Sequence, residues 1–217
     1  MKIGILGAGF IGRAVARLAV EAGYEVMLSN SRDPRTLTST AIAIKCRIGT
    51  AKEASEFGEV VLVAIPFYAI GDIAPEPLAG KVVLDANNYY PGRDGAVAEL
   101  DEHKTTTSEL LAARLPGAKL VKAFNAILEK DVEADARPSG APDRRALPIA
   151  GDDAEAKRVA TVILDKLGYD VVDAGPLAEG WRFERARPVY CVPLDKAALV
   201  AGLADAGRTV EDGSWRT

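Results

Sequence analysis

The segment Gly7 to Gly12, GAGFIG, has the form G-x-G-x-x-G and stands where such a motif acquires meaning. It follows a short apolar run, Lys2 to Leu6, and opens a helical pattern, Phe10 to Ala22, with Ile11, Ala14, Val15, Leu18 and Ala22 on one face. Gly7 permits a tight turn, Gly9 lets backbone amides approach a pyrophosphate, and Gly12 allows a helix to pack closely on a sheet; the helix N-terminus adds partial positive charge. A simple turn does not need all three glycines at this spacing. The motif therefore predicts a strand, loop and helix built to receive a dinucleotide.

The remaining chain continues the alternation. Strand-like runs are read at Glu25 to Ser29, Arg47 to Thr50, Glu59 to Ile65, Lys81 to Ala86, Lys119 to Phe124, Leu147 to Ala150 and Asp170 to Asp173. Helical stretches are read at Arg35 to Ile44, Ala51 to Phe57, Asp153 to Leu167 and Leu194 to Ala206. This rhythm predicts a single α/β domain of doubly wound Rossmann type, with a mostly parallel sheet of about eight strands. Residues 1–174 form its core. Residues 175–217 form an extension available for dimerisation or for an acceptor site, in which GPLAEGWRFE has no clear period and GRTVEDGSWRT reads as a polar tail that frays. NNYYPGRDG and RPSGAPDRR are rich in turn residues and read as surface loops.

Charge and composition remove several classes of function. The 217 residues carry a net charge of -4, without the basic stripe of a nucleic-acid binder. The longest uncharged apolar stretch, Val60 to Ile70, falls short of the ~20 residues of a membrane span. The start MKIGILGAG has no cleavable-signal pattern, so a cytoplasmic chain is expected. Cys46 and Cys191 offer neither a disulfide framework nor a metal quartet, and Cys191 reads as a small buried hydrophobe. The single histidine, His103, lies in the polar run DEHKTTTSE and reads as a solvated loop residue. No metal site is expected.

The end of the second strand supplies the cofactor readout. Proteins selective for NAD place Asp or Glu there to hold the ribose hydroxyls, ~20 residues beyond the fingerprint. Here the position is Asn30, followed by Ser31 and Arg32. Hydroxyl and amide donors with a guanidinium suit a 2′-phosphate, so NADP is favoured, against the plainer reading of a polar turn with a solvated arginine. Asp33 opposes this unless Pro34 turns it away and Arg35 offsets it.

Three strand-end segments, AIPF at Ala64 to Phe67, DANN at Asp85 to Asn88 and KAFN at Lys122 to Asn125, are expected to line the crevice outside the carboxyl edge of the sheet. Ala64, Ile65 and Pro66 suit a flat wall for a nicotinamide ring, and Asn87 suits its carboxamide or ribose; ordinary strand termination explains each segment taken singly. No tyrosine is followed four residues later by lysine, and Lys122 reads as a solvated or salt-bridged side chain. No catalytic acid or base is therefore assigned. Hydride exchange between two organic cofactors needs chiefly proximity and stacking, which fits such a site.

In order, GILGAGFIGRAVA, SNSRDPRTL, VVLVAIPF, VVLDANNYYPGRDG, LVKAFNAI and DAGPLAEGWRFE resemble the NADP oxidoreductase family that includes coenzyme F-420-dependent NADP reductase, to which the cytosolic reductase domains of six-transmembrane metalloreductases are related. The resemblance runs to about Glu184. It implies NADP(H) held by Gly7, Gly9, Phe10, Ile11 and Gly12, with Ser31 and Arg32 on the 2′-phosphate, direct hydride transfer to a deazaflavin or flavin-like acceptor, and a homodimer formed through the C-terminal segment. No deazaflavin-specific motif is found in WRFERARPVYCVPL. Trp181, Arg182 and Arg185 read either as an aromatic and cationic lip for a planar anion or, more readily, as a dimer contact or ordinary core edge. A non-catalytic NADP(H)-binding redox sensor, or a reductase of another small acceptor, is the alternative.

Overall fold

The computed structural model describes residues 1–208. Its strands are β1 (Lys2–Leu6), β2 (Glu25–Ser29), β3 (Arg47–Gly49), β4 (Val60–Val63), β5 (Val82–Asp85), β6 (Lys119–Lys122), β7 (Ala146–Gly151) and β8 (Asp170–Asp173). The helices are α1 (Phe10–Glu21), α2 (Thr38–Ile44), α3 (Ala51–Phe57), α4 (Pro91–Asp94), α5 (Ala98–Asp101), α6 (Thr107–Arg114), α7 (Glu129–Ala134), α8 (Ala154–Lys166) and α9 (Lys196–Ala204). One sheet runs β3-β2-β1-β4-β5-β6-β7-β8. It is parallel through β6 and antiparallel between β6 and β7, with β8 parallel to β7. This is the doubly wound Rossmann-type arrangement that the sequence predicts.

Burial on both faces explains the unbroken apolar run of β4, whose four residues are all buried. Val60 and Leu62 pack with Val15 and Leu18 of α1 and Ile163 of α8, whereas Val61 and Val63 pack on the opposite face with Ala54 of α3 and Leu111 of α6. The order of strands reverses between β1 and β4, which opens a crevice outside their carboxyl ends.

A smaller third core joins the C-terminal segment to the sheet, with Phe183, Val189, Leu199 and Leu203 against Ala146, Ala150 and Val172. Residues 175–208 are thus packed onto β7 and β8. Only Ala150 and Gly151 of β7 pair with β6, opposite Lys122 and Val121. The rest of β7 continues past the carboxyl end of β6 and pairs with β8 there.

Several local expectations are corrected. The fourth strand ends at Val63, because Ala64 to Pro66 leave the ladder for the crevice. The predicted helix from Arg35 opens as a 3-10 turn, Pro34–Leu37, capped by Asp33, before α2 begins. The polar run read as a loop includes the start of α6, begun by a capping box in which Thr106 and Glu109 bond each other's backbone amides. The turn-rich NNYYPGRDG contains α4. RPSGAPDRR is not wholly superficial: Arg144 and Arg145 are buried and ion-paired to Asp165 and Asp170 and to Asp131 and Asp135. GPLAEGWRFE contains a 3-10 segment, Leu177–Phe183. Most of the expected polar tail lies outside the described residues.

Candidate active site

A cleft of about 500 Å3 lies at the strand-order reversal, lined by Gly7 and Gly9 after β1, Asn30 to Arg32 after β2, and Ala64 to Pro66 after β4. Gly7 has φ 108°, and a Cβ there would overlap the carbonyl of Ala64, so the first loop abuts the fourth strand's end only as glycine. A Cβ at Gly12 would overlap the carbonyl of Gly7, which holds α1 close under the loop. Gly9 is different, since a Cβ there would meet no heavy atom within 4 Å. Its open side, at the start of the twelve-residue α1, is room for a pyrophosphate against helix amides. The side chain of Phe10 is exposed and that of Ile11 half-buried, and neither lines the cleft. What they can offer an anion is backbone N–H.

After β2 the turn is pre-shaped. The Asn30 side-chain oxygen accepts from the Arg32 amide at 3.0 Å, and its nitrogen donates to Thr36 Oγ1 at 3.0 Å. Asn30 therefore organises the turn, while Ser31 and Arg32 stand exposed on the cleft. Asp33 is neutralised as the sequence suggests: Arg35 Nη2 lies 2.7 Å from its Oδ2, and this pairing holds the carboxyl below its ordinary value. Arg35 is correspondingly committed to Asp33.

The DANN and KAFN segments serve differently from the expectation that they line the crevice. Phe124 is buried in the core at φ 62°, and Asn125 donates to the Phe183 carbonyl at 2.9 Å. Lys122 is fully buried and ion-paired, with Nζ 3.1 Å from Glu184 Oε1; it also donates to Thr107 Oγ1 at 2.8 Å and to the Asn87 carbonyl at 3.2 Å. Burial raises the Asp85 carboxyl above its ordinary range, although Lys122 and Ser108 oppose the shift. For Glu184, burial acts upward but Lys122 and Thr107 outweigh it, and the carboxyl lies below its ordinary value. Together Lys122 and Asp85 hold Asn87 at both backbone groups: the lysine donates to its carbonyl, and its amide donates to Asp85 Oδ1 at 2.9 Å. The Asn87 side chain, 2 % exposed, has neither its nitrogen nor its oxygen hydrogen-bonded. Asn87 is not among the residues lining the cleft, but its orphaned carboxamide keeps both a donor and an acceptor for a nicotinamide carboxamide or ribose. With the open face of Gly9 and the donors at Ser31 and Arg32, the residues present fit an NADP-type dinucleotide.

Thr107, Ser108 and Glu184 were not legible as site residues. The only signal for the first two was the T-x-x-E box ahead of α6.

Beyond this network lies a second cavity of about 330 Å3, lined by Tyr89, His103, Trp181, Arg185, Arg187 and Arg208 among others. Trp181 and Arg185 are among its lining residues. Arg182 is not, for although its guanidinium lies 5.0 Å from the Trp181 ring, it pairs with Glu179 and faces away toward α9. Cys191 is half-buried, and burial raises its thiol pKa to about 11, so it is a poor nucleophile. No cluster able to hold a metal ion is found among the described residues, and none of their helices is long and apolar enough to cross a membrane.

Comparison with known proteins agrees with this geometry. Residues 2–89 match the family described as NADP oxidoreductase, coenzyme F420-dependent. The chain is 30% identical over 195 residues to the metalloreductase STEAP3 of Rattus norvegicus, a match covering 89% of this chain and 36% of that protein. A hypothetical protein from Sinorhizobium meliloti superposes with TM-score 0.78 at 29% identity, covering 90% of this chain and 95% of the other. A protein described as a "putative F420 dependent NADP-reductase" from Arthrobacter sp. FB24 superposes with TM-score 0.69 at 26% identity, covering 83% of this chain and 87% of the other. The chain spans less than half the length of the curated relatives it matches. The resemblance read from the motifs is thereby borne out: the chain is similar to NADP-dependent oxidoreductases.

Proposed function

We propose that this chain, similar over residues 2–89 to the coenzyme F420-dependent NADP oxidoreductases, is an NADPH-dependent oxidoreductase acting on a planar acceptor of flavin or deazaflavin type. The observation that carries the reading is the single cleft that brings the open face of Gly9, the donors Ser31 and Arg32, and the flat wall Ala64 to Pro66 together. When bound there, the reduced nicotinamide supplies the hydride. The protein's own part is to hold and orient: the α1 amides receive the pyrophosphate, Ser31 and Arg32 the 2′-phosphate, and Asn87 the nicotinamide end. Lys122, Asp85 and Glu184 act as positioning residues for Asn87. Direct transfer between two rings requires no acid or base at the reacting atoms, and no side chain is assigned that role. A homodimer joined through the C-terminal segment, in the cytoplasm, completes the reading.

Titration of NADPH and NADH by calorimetry tests the cofactor. NADPH should bind more tightly, and Arg32→Ala should cost about 1.5–3 kcal/mol of NADPH affinity while leaving NADH unaffected. Equal binding of the two nucleotides would overturn the assignment. NADPH oxidation screened against flavins, deazaflavins, quinones and ferric chelates tests the acceptor class. Tight NADPH binding with no turnover on any planar acceptor would instead support a redox sensor.

A further inference from the structure

The second cavity lies outside the carboxyl ends of β5 and β6, next along the sheet from the dinucleotide cleft. The two are separated by an aromatic pair: Phe67 directly follows the cleft-lining Pro66, and its ring meets that of the cavity-lining Tyr89 edge-on at 6.0 Å. A molecule seated in the cavity would thus approach the nicotinamide end from the β5–β6 side.

The lining is rich in donors. Arg187 and Arg208 line it with Trp181, alongside the carboxylates of Asp101 and Glu184. Glu184 pairs with Lys122, and Asp101 accepts from the Tyr89 hydroxyl at 2.9 Å. Trp181, 8 % exposed, presents a ring with the guanidinium of Arg208 4.7 Å and that of Arg187 5.3 Å from its centre. Its indole nitrogen is buried without a hydrogen-bond partner, and so is Arg187 Nε. Burial lowers the Arg187 guanidinium pKa; Glu184 counters this and Arg208 adds to it, so the cluster is electrostatically crowded. Unsatisfied buried donors are costly and call for an acceptor group. The volume lies within the roughly 300–1,000 Å3 of small-ligand sites.

We infer that this cavity binds the anionic arm, phosphate or carboxylate, of the hydride acceptor, with Arg187, Arg208 and Trp181 as its recognition residues. The inference rests on the oxidoreductase reading for the identity of its ligand as an acceptor, but the binding it requires is measurable without turnover. FMN and riboflavin share one ring system and differ by a phosphate, so they serve as the probes. Calorimetric titration should show FMN binding at least tenfold more tightly than riboflavin. Arg187→Gln and Arg208→Gln should each reduce that ratio below threefold, with NADPH affinity unchanged. Arg187 also ties the Gly207 and Arg208 carbonyls at 2.6 and 3.0 Å, so Arg208→Gln, which loses an exposed bond to the His103 carbonyl and the cation–π contact with Trp181, decides the matter if the first variant fails to fold. Equal affinity for FMN and riboflavin in the wild type, or a preference that survives Arg208→Gln, overturns the inference. Phosphate-dependent binding without NADPH oxidation would remove the oxidoreductase reading alone. NADPH oxidation with equal kcat/KM for both flavins would remove the cavity assignment alone.

Discussion

Lys122, at the end of β6, and Glu184, just beyond the Leu177–Phe183 segment, meet at 3.1 Å, and the lysine is wholly enclosed. Gly180 permits this, since a Cβ there would come within 2.8 Å of the lysine side chain. Removing the cation leaves Asp85 and Glu184 facing each other without compensation. Lys122→Met should therefore destabilise the protein by about 3–5 kcal/mol in urea unfolding. A loss below about 1 kcal/mol would mean that the network is not the internal brace described.

The same pair sets a pH dependence. Glu184 is held below its ordinary value of 4.5, so its contribution to stability is present above that pH and is lost as pH falls through the lower folded-state value. Asp85 has the opposite sign, because its raised pKa favours the folded state at low pH. Glu184→Gln should cost about 1.5–3 kcal/mol at neutral pH and lose less further stability than the wild type on acidification below about pH 4.5. Parallel stability–pH curves for the two proteins would contradict this.

The fingerprint glycines should separate cleanly. Gly9→Ala points its methyl into open space, so thermal unfolding should shift little, while NADPH affinity falls at least tenfold, about 1.4 kcal/mol. Gly12→Ala collides with the Gly7 carbonyl and should lower stability and affinity together. Unchanged NADPH binding by Gly9→Ala would remove the pyrophosphate from this loop.

Asn87 makes the reverse prediction to most buried polar residues. Its side-chain amide has no partner, so Asn87→Leu should leave the unliganded protein equally stable or up to about 1 kcal/mol more stable. NADPH affinity should nonetheless drop about tenfold. Destabilisation without a change in affinity would show that the amide serves packing.

The glycine motif, the strands from β1 to β8 and the SNSR turn were legible because each rests on local pattern: period, turn residues and spacing. The three strand-end segments were only partly legible. Ala64 to Pro66 line the cleft as expected, whereas Asn125 turns to the Phe183 carbonyl because its partner is 58 residues away and no local pattern encodes that contact. Lys122 could be read as salt-bridged, but its partner Glu184 could not, for the same reason. Helix α6 was obscured by hydroxyl and charged residues whose purpose is to cap it and to reach Lys122 and Glu184, so its polarity resembled that of a loop.

The antiparallel join between β6 and β7 divides the molecule in a way that bears on its motions. Only two residues of β7 pair across it, whereas β5 and β6 share four. The segment that walls the cationic cavity on its far side packs on β7 and is tied to the β6 side by Lys122–Glu184 and by Asn125 donating to the Phe183 carbonyl, while the dinucleotide cleft is built from the ends of β1, β2 and β4. Local opening with few backbone hydrogen bonds to break is the least costly kind. Here buried side-chain ties make up for that thin pairing, so how closely the two halves move together is set by the Lys122–Glu184 contact rather than by the sheet.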